Sequence, residues 1–359
     1  YRLGQYAEAL ADFQRGLLLT SQPGDQAAAS LWVGKTQSAL NNPTEGKQAW
    51  QQAANRDPTG YYSERAKELI AGQTPFSHLP TIDLAFDLEK ERFQAEAWMR
   101  ETFQIPESEP LSGAGSIAAD PRFIRGQEFW ALGLQQEARR EFEDFRQSLN
   151  HDPLGSYQLM NFLLDLGLYR SVILSSRQIL SMAGMDDAAT LTAPAYFNHL
   201  RFGTYYRDLI LPEAKAEGLD PIFVFSLIRQ ESLFEGFNES SMGARGLMQI
   251  MPSTGNDIAN NMGWPDGYSM EDLYRPVVSV RLGIHYLSQQ IANFNGDYYA
   301  ALAAYNGGPG NTIAWRELSG EDPDLFLEVV RLEETRTYIM RIYEMYTIYR
   351  SLYNRGGGG

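Results

Sequence analysis

Asp220-Pro221-Ile222-Phe223-Val224-Phe225-Ser226-Leu227-Ile228-Arg229-Gln230-Glu231-Ser232 is the stretch that decides the fold. Asp is a good N-cap and Pro is favoured at the first helical position, so a helix is predicted to start at Pro221. The residues that follow are apolar on nearly every face, which is the pattern of a helix buried in a core rather than laid on one. Such a helix needs other helices around it, and the rest of the chain supplies them. Almost nothing alternates with period two, whereas helical spacing and strong helix formers recur. Glu231 falls in the last turn. There the core desolvates its charged form and the negative end of the helix dipole opposes it; both raise the pKa toward what a general acid near neutral pH needs. A glutamate in a last turn can equally reach water, so Glu231 alone decides nothing about chemistry.

Downstream of Ala195 the aromatics thicken and Gly-rich turns at 242–246, 263–267 and 306–310 separate short helices. Residues 195–355 therefore read as one compact domain, the place to look for chemistry. Upstream the sequence repeats itself. Tyr1 to Leu19 carries Gly4, Tyr6, Ala9, Phe13 and Gly16 as a small-and-aromatic stripe, and Trp32, Gly34, Gly46, Trp50 and Ala53 match it in the stretch closing at Asp57-Pro58. Gly133 and Gly167 begin two more candidates 34 residues apart. These stripes resemble tetratricopeptide repeats, in which small residues let paired helices approach and large ones fill the next groove. The expected organisation is repeats over 1–72, a further repeat or linker region over 73–194 with a mobile loop near 105–121, the domain at 195–355 and a tail at 356–359. The fold class is then all-α. The segments 82–103 and 157–180 carry helical spacing throughout.

Composition limits the function. The chain has 359 residues, 43% of them hydrophobic, and a formal charge of −15. Such an acidic surface repels phosphate backbones, so no nucleic-acid partner is expected. The absence of cysteine removes a disulfide framework, a thiolate metal site and a Cys nucleophile. The four histidines, His78, His151, His199 and His285, are far apart, and no metal is expected. The longest strongly apolar run, 221–228, is too short to span a bilayer.

Four short segments stand in order behind the buried helix: Glu231-Ser232, Gly246-Leu247-Met248-Gln249, Ala304-Tyr305-Asn306-Gly307-Gly308-Pro309 and Glu334-Thr335-Arg336-Thr337-Tyr338. Together they resemble the signatures of the soluble lytic murein transglycosylase family, a lysozyme-like catalytic domain preceded in its large members by a helical superhelix. The resemblance implies Glu231 as the single catalytic acid and base. It implies Ser240 near the N-acetyl group of the reacting sugar, Gln249 and Met251 lining the saccharide groove, Tyr305 holding Glu231, Asn306 beside it, and Glu334 near the peptide side of the cleft. The family has Ala where Gly307 stands. Gly243, Gly246, Gly307, Gly308 and Gly310 read as turn-formers with positive φ, and Tyr268, Tyr274, Tyr305 and Tyr338 as stacking faces or core.

Glycosidases generally use two carboxylates. Glu235 and Glu239 read as exposed, and no second acid stands in a motif position. The resemblance then implies a nucleophile from the substrate: the muramyl C6 hydroxyl attacks C1 and leaves a 1,6-anhydromuramyl end, with no cofactor. A hydrolytic muramidase on the same fold and an inactive peptidoglycan-binding scaffold are the alternatives. The partners implied are peptidoglycan glycan strands and a protein on the repeats; the location implied is the bacterial periplasm or envelope, with a targeting segment outside this chain.

Overall fold

Among the described residues, helices account for all the regular structure. They are joined by short turns, with 3-10 turns at Gly115–Ala119, Asp187–Thr192 and Met270–Tyr274. The computed structural model describes residues 1–77 and 82–354, and within them β structure is limited to isolated bridges. The all-α expectation holds. His78 and the tail at 356–359 lie outside the described residues.

The chain forms two compact units that interleave along the sequence. The first comprises Tyr1–Asp83, Glu217–Ser226 and His285–Gly359, and the second Leu84–Ala216 and Leu227–Ile284. The helices Pro221–Ser232 and Pro276–Asn293 have residues in both sets.

In the first unit, the Pro23–Ala39 and Pro43–Ala54 helices touch through glycines, as the stripe required. A Cβ on Gly34 would fall 2.3 Å from the Trp50 ring and 2.9 Å from the Gly46 carbonyl oxygen. Trp50 uses that space to donate its indole N–H to the Leu31 carbonyl at 3.2 Å. Phe76 is the centre of an aromatic core, with the rings of Phe223, Tyr298, Tyr299, Tyr343 and Tyr346 at 5.1–5.7 Å. Fully burying one such side chain is worth ~1.5–3 kcal/mol.

Beside this core runs a chain of buried charges. Lys35 Nζ reaches Asp324 at 2.6 Å, Arg65 Nε reaches Asp324 at 2.7 Å, and Arg350 reaches Glu68 at 2.9 Å. Tyr343 donates its hydroxyl to Glu68 at 2.6 Å. Burial pulls the Asp324 pKa up, but Lys35 and Arg65 more than offset it and hold the carboxyl below its usual value. A paired buried charge adds little net stability, and removing one partner is costly, so the network fixes how these helices meet.

The second unit packs Met99, Phe123, Phe142, Tyr157, Leu163 and Phe197 into one core. Gly133 and Gly167 occupy equivalent turns in it. Both are left-handed (φ 75° and 74°), and the residue after each donates to a carbonyl five positions back, Leu134 to Phe129 and Leu168 to Leu163. Each turn ends one helix and starts the next, which is the local geometry behind the 34-residue spacing.

One segment differs from expectation. Residues 82–87 are not helical, because Asp87 accepts from the Lys90 backbone N–H and caps a helix beginning at Leu88. Within 105–121, Leu111 and Ile117 are buried, and Gln158 donates to the Pro110 carbonyl at 2.7 Å.

Candidate active site

The expected buried helix forms as Pro221–Ser232. Asp220 accepts from the Ile222 N–H at 2.9 Å, and every residue from Ile222 to Ile228 is buried. Glu231 is half-buried in its last turn. In the second unit this helix end is fastened by its neighbours. Arg229 Nε donates to the Arg201 carbonyl at 2.8 Å, and its guanidinium lies 4.6 Å from the Phe202 ring. Arg201 stacks on the same ring at 5.2 Å; burial first, and then the cations Arg229 and Arg177, lower its pKa to about 10. Ser232, which is buried, donates its hydroxyl to the Leu247 carbonyl at 2.8 Å. The first two motifs are thus joined by one side chain.

Glu239 to Ile250 forms a tight double-bridged turn. Arg245 and Ile250 exchange backbone hydrogen bonds at 3.0 and 3.1 Å, and Ser240 N donates to the Ala244 carbonyl at 2.9 Å. The Ser240 hydroxyl accepts from the Ala244 N–H at 3.0 Å, so this serine also builds the turn. Gly246 has φ 78°, and a Cβ there would sit 2.0 Å from the Leu273 carbonyl oxygen. Only glycine meets both conditions. Gln249 is left-handed too (φ 47°), its side-chain amide donating to the carbonyls of Gly246 at 2.8 Å and Asn238 at 3.2 Å. That leaves its carbonyl oxygen as the free end. Met251 is exposed at the start of the Pro252–Met262 helix. Tyr274 donates to Glu239 at 2.5 Å; burial, with that hydrogen bond, pushes its pKa up to about 12.

The other two motifs meet in the first unit. Tyr305 and Asn306 end the Tyr298–Gly307 helix, and Gly308 (φ 86°) turns the chain into the Pro309–Ser319 helix. Thr335, buried in the first turn of the Glu333–Tyr353 helix, donates its hydroxyl to Asn306 Oδ1 at 2.7 Å. Tyr286 lies against Tyr305 with ring centroids 5.2 Å apart. Glu334 is exposed, and Tyr338 is buried.

The predicted residues therefore fall into two groups. Glu231, Ser240, Gln249 and Met251 belong to the second unit; Tyr305, Asn306 and Glu334 belong to the first. Within each, a buried hydroxyl joins two motifs.

Two expectations change. Gly307 and Gly310 do not have positive φ. Gly307 is helical, and a Cβ there would lie 2.8 Å from Thr335 Oγ1, so its small size serves a close approach rather than a turn. Glu235 is buried, not exposed: its carboxylate, 3% exposed, pairs with Arg139 at 2.8 Å. Of the two readings open for Tyr338, its burial agrees with the core one. Thr335 and Arg139 were missed. Thr335 stood inside a quoted motif, but nothing local marked Arg139, which lies 96 residues before its partner. Among the described residues, no group of three or more His, Asp or Glu is placed to hold a metal ion.

The pattern described as the transglycosylase SLT domain matches residues 208–325, a span that contains Glu231 and Asn306 and ends before Glu334. The soluble lytic murein transglycosylase of Salmonella typhimurium is 31% identical over 248 residues, covering 67% of this chain and 35% of that protein. An X-ray structure of an inactive glutamate-to-glutamine mutant of the lytic transglycosylase Slt from Pseudomonas aeruginosa aligns with TM-score 0.66 and 26% identity over 97% of this chain and 50% of that one. The 70 kDa soluble lytic transglycosylase of Escherichia coli aligns with TM-score 0.67 at 20% identity, over 97% and 49% of the two chains, a likeness of fold. The resemblance read from the four motifs is borne out. The chain spans about a third of the length of the curated relatives it matches.

Proposed function

We propose that this chain is a peptidoglycan lytic transglycosylase acting in the bacterial periplasm or envelope, with Glu231 as acid and then base. The observation that carries the reading is the placing of Glu231. It ends a helix buried on every side, and Ser232 fastens that end to the Gly246–Gln249 turn. The inactive glutamate mutant of the Pseudomonas relative supports a glutamate in this role. Glu231 protonates the β-1,4 oxygen between N-acetylmuramic acid and N-acetylglucosamine, and the N-acetyl carbonyl stabilises the oxocarbenium-like charge. The resulting carboxylate then takes the proton of the muramyl C6 hydroxyl as that oxygen closes on C1.

A hydrolase would need a second carboxylate to orient water. Both acids that follow Glu231 are engaged elsewhere, Glu235 with Arg139 and Glu239 with Tyr274. That favours internal attack, where an oriented neighbouring hydroxyl reaches an effective molarity of ~10⁵ M or above. Ser240, Gln249, Met251, Tyr305, Asn306 and Glu334 bind the saccharide and its stem peptides. The helices before residue 195 carry tetratricopeptide-like repeats and present a surface to glycan or to a protein partner, and 195–355 forms the catalytic domain. Glu231→Gln keeps the folded circular dichroism spectrum and saccharide binding but lowers the rate of cleavage of purified sacculi by about 10²–10⁴ or more. A variant rate within a few-fold of wild type contradicts the assignment.

A further inference from the structure

The turn that leaves Glu231 is one its own sequence does not favour. Leu233 and Phe234 are both left-handed, with φ 51° and 62°, and neither is Gly or Asn. Bulky residues hold such a conformation only when their surroundings impose it. Two contacts within the second unit do so. Phe234 is fully buried, its ring 5.3 Å from that of Tyr205. Glu235 follows at once, 3% exposed and paired at 2.8 Å with Arg139 of the Gln135–Ser148 helix. Burial pushes the Glu235 pKa up, while Arg139 and Arg170 pull it down and Glu143 pushes it up. Only Arg139 touches it among these.

We propose that Arg139, a residue of the helical array, is a positioning residue for Glu231: its ion pair with Glu235 locks the left-handed turn and so sets the direction of the last helical turn. The inference rests on the function proposed above. The Glu235 carboxylate is buried while Arg139 is 31% exposed, so the pair adds little net stability, but it selects the arrangement in which the buried carboxylate keeps its partner. Glu231 is four residues from the anchored carboxylate, and catalytic rate is steep in position; a shift of 1 Å can lower it about 10²-fold. The helices before residue 195 therefore do more than bind: one of them completes the support of the catalytic carboxylate.

The test uses the full chain, with initial rates on soluble glycan strands at several concentrations and a melting curve for each variant. Arg139→Ala should lower kcat by about 10–10²-fold while KM stays within about two-fold, because the saccharide groove is untouched. Arg139→Lys, which keeps the charge, should recover most of the loss, and the reversed pair Arg139→Glu with Glu235→Arg should recover part of it. Wild-type kcat in a folded Arg139→Ala protein overturns the proposal. So does an equal loss in Arg139→Ala and Arg139→Lys that tracks the loss of melting temperature, which is what general destabilisation would give. If Arg139→Ala does not fold, Glu235→Gln decides in its place: a lowered kcat at unchanged KM supports positioning, and an unchanged kcat overturns it. A wild-type chain that cleaves no glycan removes the functional reading itself, and this proposal with it.

Discussion

Replacing Gly246 by Ala tests the packing that seats the Gly246–Gln249 turn. Two penalties are separable here. A left-handed φ costs an L-residue ~1–2 kcal/mol. The added methyl would lie 2.0 Å from the Leu273 carbonyl oxygen and 2.8 Å from Ser279 Oγ, so backbone must move. Overpacking of that kind costs ~1–3 kcal/mol. Gly243 provides the control: its φ is 83°, yet nothing stands within 4 Å of the same methyl. Gly243→Ala should thus lose ~1–2 kcal/mol and Gly246→Ala ~2–5 kcal/mol, the difference being the steric contribution alone. Urea unfolding of the full chain, comparing midpoints and slopes, measures both. Activity should follow the same order, because Ser279 Oγ accepts the Met248 N–H at 3.1 Å and moving it shifts Gln249. If the two variants lose the same stability to within about 0.5 kcal/mol, the close seating of the turn against Leu273 is refuted.

Thr335→Val deletes the hydroxyl that orients Asn306; a lost hydrogen bond of this kind is worth ~1 kcal/mol, so kcat/KM should fall about five-fold, and an unchanged kcat/KM would show that Asn306 needs no such support. Glu344 tests the buried electrostatics of the first unit. Burial first, and then the neighbouring Asp57 and Glu64, push its pKa up to about 7 from 4.5, against the Tyr61 N–H and Arg341. As pH rises through that window the unfolded chain releases a proton that the folded chain retains, so stability falls with pH. Glu344→Gln removes this dependence, and its advantage over wild type should grow by something on the order of 3 kcal/mol between pH 4.5 and 7. Parallel stability curves for the two proteins would contradict it.

The sequence made legible what is local. The cap at Asp220, the buried helix and the small residues between the Trp32 and Trp50 helices depend on neighbours within a turn or a helix pair, and each formed as read. The order of the four motifs was equally visible, but not that Ser232 and Thr335 are the side chains that join them. Glu235 followed a turn-rich stretch and read as solvated, because its partner comes from a helix far upstream. The Lys35, Arg65, Glu68 and Asp324 network was hidden for the same reason. Each member looks like an ordinary surface charge until helices distant in sequence are brought together. Gly307 was misread as a turn-former since a glycine needed for φ and one needed for closeness look alike in sequence.

The chemistry of the product tests the central claim most directly. On the function proposed above, Glu231 is the one carboxylate at the reacting bond, so the muramyl C6 hydroxyl is expected as the nucleophile and the product should close on itself. Digestion of purified sacculi by the full chain, followed by mass spectrometry of the muropeptides before and after borohydride treatment, distinguishes the two outcomes. Internal ether formation predicts products about 18 Da lighter than hydrolysis would give, with muramyl ends that borohydride does not reduce. Hydrated, reducible muramic acid as the main product would contradict the account, even with Glu231 established as the acid.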